Sequence, residues 1–166
     1  RIDHIMGLFR LWWIPAHASA TAGTYVYYDH EAMIGVLALE AHRAGAVVIG
    51  EDLGNVEPWV REYLAERGIL GTSVLWFETE HDGPRHPENY RRDVLATVTT
   101  HDLPPTAGYL AGEHVELRAR LGLLERAVEE EREIARAERE TMLQRLRDRW
   151  ILAPDAGEED AVIALH

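Results

Sequence analysis

The chain has no cysteine. Disulfides and thiolate metal sites are therefore excluded. No apolar run approaches the roughly 20 residues needed to span a bilayer. Basic residues are scarce relative to acids, 17 against 29, and the formal net charge is −12. That balance argues against nucleic acid and against an anionic membrane surface as partners, since both need a basic face. A neutral substrate is compatible with it. The sequence holds no HExxH spacing, no sustained apolar heptad, no internal repeat and no low-complexity linker. It shows no signal peptide and no initiator Met, and the default compartment is the cytoplasm.

What is present reads as one α/β chain of 166 residues, long enough for a real core. The opening, RIDHIMGLFRLWWIP, is crowded with apolar side chains, unlike a polar, loosely held terminus. Within it Trp12 and Trp13 read as core. The polar stretch AHASATAGTYVYYDH follows. A helix is expected over EAMIGVLALEAHRAG, with Met33, Leu37 and Ala41 on one face, Ile34 and Ala38 beside them, and Gly45 as its stop. Ala46 to Ile49 form a short continuous apolar run, the pattern of a strand buried on both faces. A second helix is expected from Glu57 to Arg67, with Pro58 in its first turn and Gly68 beyond its end.

GTSVLWFE reads as the next strand, with Trp76 and Phe77 ending it on opposite faces. Residues 79–92 read as loop. DVLATVTTHDLPP reads as a third strand with a polar end. From Glu113 to Trp150 helix-formers dominate, broken around Gly122. Packing there is expected from Leu121, Leu124, Val128, Ile134, Leu143 and Leu146. A last helix begins near Asp155, a candidate cap. Alternating strands and helices with short links predict parallel strands.

Each apolar strand ends in carboxylates: Asp3 in RID, Glu51 and Asp52 in VVIGED, Asp102 beside His101 in VTTHD. A charge at the end of a buried strand is costly unless a site needs it. In a parallel barrel the C-terminal strand ends converge on one mouth, where the active site lies. Paired carboxylates there suit glycoside chemistry, one attacking as nucleophile while the other protonates the leaving oxygen. Any one of these acids, taken singly, reads better as a turn or cap residue. The repetition, with Arg1, His4 and His101 adjacent, favours a site.

The pairs Asp3–His4, Asp29–His30, His81–Asp82 and His101–Asp102 offer a rival reading, a metal-dependent hydrolase on the same barrel. Among aromatic residues suited to sugar faces, Trp12, Trp13, Tyr25, Tyr27, Trp76 and Phe77 stand out, Tyr25 foremost. Glu78 is a further candidate to line the mouth.

The stretches RIDHIMGLFRLWWIP, GTYVYYDH, VIGEDLG, VLWFE and TTHDLPPTAGY fall in order and cover most of the first 110 residues. Together they resemble the 4-α-glucanotransferase family (amylomaltase, or disproportionating enzyme), a branch of the α-amylase superfamily. The resemblance implies a (β/α)8 barrel and retaining transfer of α-1,4-glucan segments between maltooligosaccharides. It implies Asp3 as nucleophile, Glu51 as acid/base and Asp102 as stabiliser of the transition state. Arg1 would orient Asp3, and His101 would contact the reacting sugar. It implies no cofactor and no metal, and a parent that is a monomer or homodimer.

On the same resemblance, residues 1–166 are one partial barrel domain running from the end of strand four through strand seven, with the long helical segment 113–150. The expectation is an internal fragment of a longer enzyme, inactive, poorly soluble or oligomeric by itself. The alternative outside enzymology is a truncated product with no activity of its own.

Overall fold

The structure, a computed structural model, describes residues 1–81 and 83–166. Asp82, half of the His81–Asp82 pair, lies outside the described residues. The chain forms two compact units, Arg1–Ser73 with Arg91–Leu95, and Val74–Tyr90 with Ala96–His166.

In the first unit the opening residues run alongside a parallel neighbour. Ile2 bridges Gly50, its N–H donating to the Ile49 carbonyl and its own carbonyl accepting from Glu51, both at 2.8 Å. Strands β1 (Arg10–Trp13) and β2 (Thr24–Tyr27) pair antiparallel, with Arg10 opposite Tyr27 and Trp12 opposite Tyr25. This ribbon corrects the expectation of a buried Trp pair: Trp12 is 45 % and Trp13 56 % exposed. Each indole N–H is satisfied locally instead, on the Ala20 carbonyl at 3.0 Å and on the Tyr28 hydroxyl at 2.8 Å.

Helix α1 (His30–Ala44) starts where the Asp29 carboxylate accepts the Ala32 N–H at 3.1 Å and stops at Gly45, which takes φ 61°. Its inward face centres on Ile34, fully buried, while Met33 turns to solvent. Strand β3 is only Val48–Ile49. It is half-buried and preceded by exposed Val47, so the expected strand buried on both faces is absent. Helix α2 (Pro58–Ala65) opens with Pro58, whose missing N–H has no partner to lose there.

Strand β4 (Ile69–Val74) pairs parallel with β3, Val48 opposite Ile69, in a sheet of order β3-β4-β7, where β7 is Val94–Thr97. Ile5, Phe9, Ile34, Val60, Leu64 and Ile69 form the core of this unit. Full burial of each such side chain stabilises by about 2 kcal/mol. Gly50 is part of that packing: a Cβ there would sit 2.9 Å from the Ile5 Cδ1.

In the second unit residues Leu75–Phe77 form a 3-10 turn, so Trp76 and Phe77 do not end a strand as expected. A small antiparallel ribbon, β5 (Thr79–Glu80) with β6 (Gly83–Pro84), interrupts the segment read as loop. Helix α3 (Thr106–Leu110), absent from the sequence reading, follows Pro105. The expected helical stretch divides into α4 (Glu113–Arg120) and α5 (Val128–Asp148), with Gly122 between them at φ 66°.

Helix α6 (Glu158–Leu165) begins at Gly157 rather than Asp155. The Asp160 carboxylate accepts the Gly157 N–H at 3.1 Å, a bond Asp155 is too early to make. Leu110, Leu143, Leu152 and Ala161 form the core, with Leu146 against it; Leu121, expected to pack, is exposed. Among the described residues no helix is long and apolar enough to cross a membrane.

Candidate active site

The first unit places Asp3 and Glu51 on neighbouring parallel segments, at the rung where the Glu51 N–H donates to the Ile2 carbonyl and Asp3 directly follows Ile2. The residue between them in space is His4. Its backbone is left-handed, φ 47° and ψ 58°, a conformation His tolerates better than most side chains. That twist turns its N–H onto the Glu51 carboxylate, Oε2 accepting at 2.9 Å.

The His4 ring then lies between the two acids. Nε2 is 3.5 Å from Asp3 Oδ2, and Nδ1 is 3.3 Å from Glu51 Oε2. Glu51 is 6 % exposed, and its other oxygen accepts the Leu53 N–H at 2.7 Å. Asp3 is more open and accepts from Arg1 Nη2 at 2.9 Å. Three predicted site residues (Arg1, Asp3 and Glu51) are thus brought together. His4, noted in the sequence as a neighbour of these acids and in the rival Asp3–His4 pair, is the group that joins them.

Asp52 does something different from Glu51 despite sharing its motif. It is buried and paired with Arg91, at 2.6 and 2.9 Å, and with Arg61 at 3.3 Å. Burial alone pushes its carboxyl up. The Arg91 hydrogen bonds, the Thr72 N–H and the charges of Arg91 and Arg61 outweigh that and hold it below the usual carboxylate range. The expectation that both acids of this motif serve a mouth is therefore corrected for Asp52, which is occupied inside the protein.

Tyr25 is half-exposed on β2. It meets Trp12 edge-on at 5.0 Å, with the Arg10 guanidinium 4.1 Å above its ring. Arg10 is anchored in turn by Glu57 at 2.7 Å. The result is a half-open ring held firmly from two sides.

In the second unit His101 and Asp102 follow β7 on an exposed turn, His101 Nε2 standing 3.4 Å from Asp102 Oδ2. Thr99 braces that turn, its hydroxyl donating to the Pro104 carbonyl at 3.0 Å. Glu78, a candidate to line the mouth, is largely buried against Arg85 at 3.4 Å. Trp76 stacks on Tyr109 at 4.1 Å, and Tyr109 on His114 at 4.6 Å, a three-ring pile the sequence did not announce.

One of the rival metal pairs is already engaged elsewhere. Asp29 is the cap of α1, and His30 stacks on Phe9 at 4.9 Å, so both have structural duties.

An α/β chain whose parallel segments end in a His-bridged pair of carboxylates has the equipment of a carbohydrate-active enzyme. Residues 1–162 match the family described as 4-alpha-glucanotransferase (glycoside hydrolase 77), and the chain belongs to that family. It is 61 % identical over its whole length to the 4-alpha-glucanotransferase of Mycobacterium tuberculosis (strain ATCC 25618 / H37Rv), covering 24 % of that protein. It is 41 % identical, over 75 % of its length, to the 4-alpha-glucanotransferase of Haemophilus influenzae (strain ATCC 51907 / DSM 11121 / KW20 / Rd), of which it covers 18 %. The crystal structure of amylomaltase from Corynebacterium glutamicum superposes on the whole chain with a TM-score of 0.89 and 47 % identity, 25 % of that chain being covered. The chain thus spans about a quarter of the length of the relatives it matches.

Proposed function

We propose that this chain carries the catalytic carboxylates of a retaining 4-α-glucanotransferase. On this reading residues 1–166 belong to one catalytic (β/α)8 barrel, running from the end of strand four through strand seven. The substrates are maltooligosaccharides and related α-1,4-glucans. The observation that carries the reading is the placing of Asp3 and Glu51 at adjacent parallel strand ends on either side of the His4 ring.

The Asp3 carboxylate attacks the anomeric carbon and forms a glycosyl ester. The glycosidic C–O bond breaks, and its oxygen leaves with the proton of Glu51. Glu51, now a carboxylate, takes the proton of an incoming sugar 4-hydroxyl, whose oxygen displaces Asp3. One glycosidic bond is lost and one is made. Arg1 orients Asp3, Asp102 binds sugar hydroxyls in the transition state, and His101 and Tyr25 contact the sugar. No metal or cofactor enters these steps.

The test is incubation of the full-length protein with maltotriose, with and without chelator. Glucose and longer oligosaccharides are expected to form, to survive chelation, and to vanish in Asp3→Asn. Turnover by that variant removes Asp3 from the nucleophile's place, and loss on chelation reopens the His–Asp metal reading. Residues 1–166 alone are expected to release no glucose from maltotriose.

A further inference from the structure

The backbone that presents Glu51 is gripped one residue later. Asp52 Oδ1 accepts the Thr72 N–H at 2.9 Å and Arg91 Nη2 at 2.9 Å, while Oδ2 accepts Arg91 Nη1 at 2.6 Å. Arg61 adds its Nε at 3.3 Å and donates Nη2 to the Asp52 carbonyl at 3.2 Å. The Arg91 guanidinium lies in the space above Gly71. A Cβ there would fall 2.2 Å from Arg91 Nη2 and 3.0 Å from Asp52 Oδ1. Glycine at 71 is what lets the fork reach the carboxylate. The turn so gripped is the one that delivers the Leu53 N–H to Glu51 Oε1 at 2.7 Å.

Glu51 itself is faced by His4 and, across that ring, by Asp3 and Arg1. Nothing on α2 or β4 is bonded to its carboxylate among the described residues; α2 reaches the turn through Asp52, and β4 through Asp52 and the Gly50 backbone. The aim of this carboxylate is set by the backbone N–H groups it accepts, and a displacement of about 1 Å costs on the order of a hundredfold in rate.

We propose that Arg91, acting through Asp52 over Gly71, is a positioning residue that holds the 51–53 turn and so aims Glu51 at the glycosidic oxygen. The proposal rests on the reading of Glu51 as acid/base. Its role is in direction, not in sugar binding. A defect in it therefore slows formation of the glycosyl ester only for donors whose leaving group must be protonated, and slows the later acceptor step for every donor.

The experiment compares two donors in the full-length protein: maltotriose, whose leaving sugar needs a proton, and α-maltosyl fluoride, whose fluoride leaves as the anion. The variants are Arg91→Ala, Gly71→Ala and Glu51→Gln. Gly71→Ala displaces the Arg91 guanidinium, presses on Asp52 Oδ1 and keeps every charge. For Arg91→Ala and Gly71→Ala, kcat on maltotriose is expected to fall about a hundredfold with KM nearly unchanged. The first-turnover burst of fluoride, read before the acceptor step, is expected to stay within a few-fold of wild type, and ethylguanidinium is expected to restore Arg91→Ala in part.

Equal losses on both donors, or no loss on either, overturn the positioning role. If Arg91→Ala does not fold, Gly71→Ala decides on the same criterion. Glu51→Gln tests the underlying reading separately: full turnover of maltotriose by that variant removes the acid/base assignment, whatever the clamp variants do.

Discussion

Asp52 is an acid whose work is structural, and its pH signature follows. Its carboxyl is held below the ordinary value of 3.8, so folding favours the ionised form. The stability it contributes is fully present above that value. It is lost as pH falls through the lower folded value. Urea unfolding across an acid series is therefore expected to show a fall below pH 4 that Asp52→Asn removes, together with a loss of about 2 kcal/mol at neutral pH. An unchanged acid limb in the variant would mean the clamp is not its source. Sequence reading treated Glu51 and Asp52 alike because locally they are alike. What separates them lies 20 and 39 residues away, at Thr72 and Arg91. No motif of five residues contains that information.

Elements were legible where the signal was local. The α1 helix declared itself through its Met33, Leu37 and Ala41 spacing and Gly45, and α2 through Pro58. Asp29→Ala is expected to lower stability by about 1 kcal/mol, read from the urea midpoint. The β1–β2 ribbon stayed hidden because its strands are four residues each, joined by a ten-residue link without a turn signature. The ring pile of Trp76, Tyr109 and His114 was equally silent, since it gathers a turn and two helices.

That pile has its own titration. Burial, then the charge of Glu138 and the hydrogen bond to it, push the Tyr109 phenol up to about 12. Its contribution to stability is present below the ordinary value of 10 and is lost as pH rises toward 12. It is expected to ionise late in an ultraviolet titration, and Tyr109→Phe should delete that late step.

At the scale of the whole molecule, large apolar side chains stand in solvent: Trp150 at 95 %, Val47 at 71 %, Ile163 at 67 % and Leu121 at 61 %. The 166 residues in isolation are expected to self-associate despite a net charge of −12, with sedimentation showing mass that rises with concentration. A monodisperse monomer over a wide concentration range would contradict this. The carboxylate at each strand end and the strand–helix alternation were visible from composition and order alone. The register of β3 on β4, and the exposure of the Trp pair, depend on which neighbours cover which face, and so were not.

The left-handed backbone at His4 has a consequence for how the site could change over generations. A random library at this codon would be filtered by conformation before chemistry. Asparagine, aspartate and glycine fit the dihedral angles, whereas valine, isoleucine and threonine strain against them. Lineages varying this position would have only a narrow set of residues open to them beside Asp3.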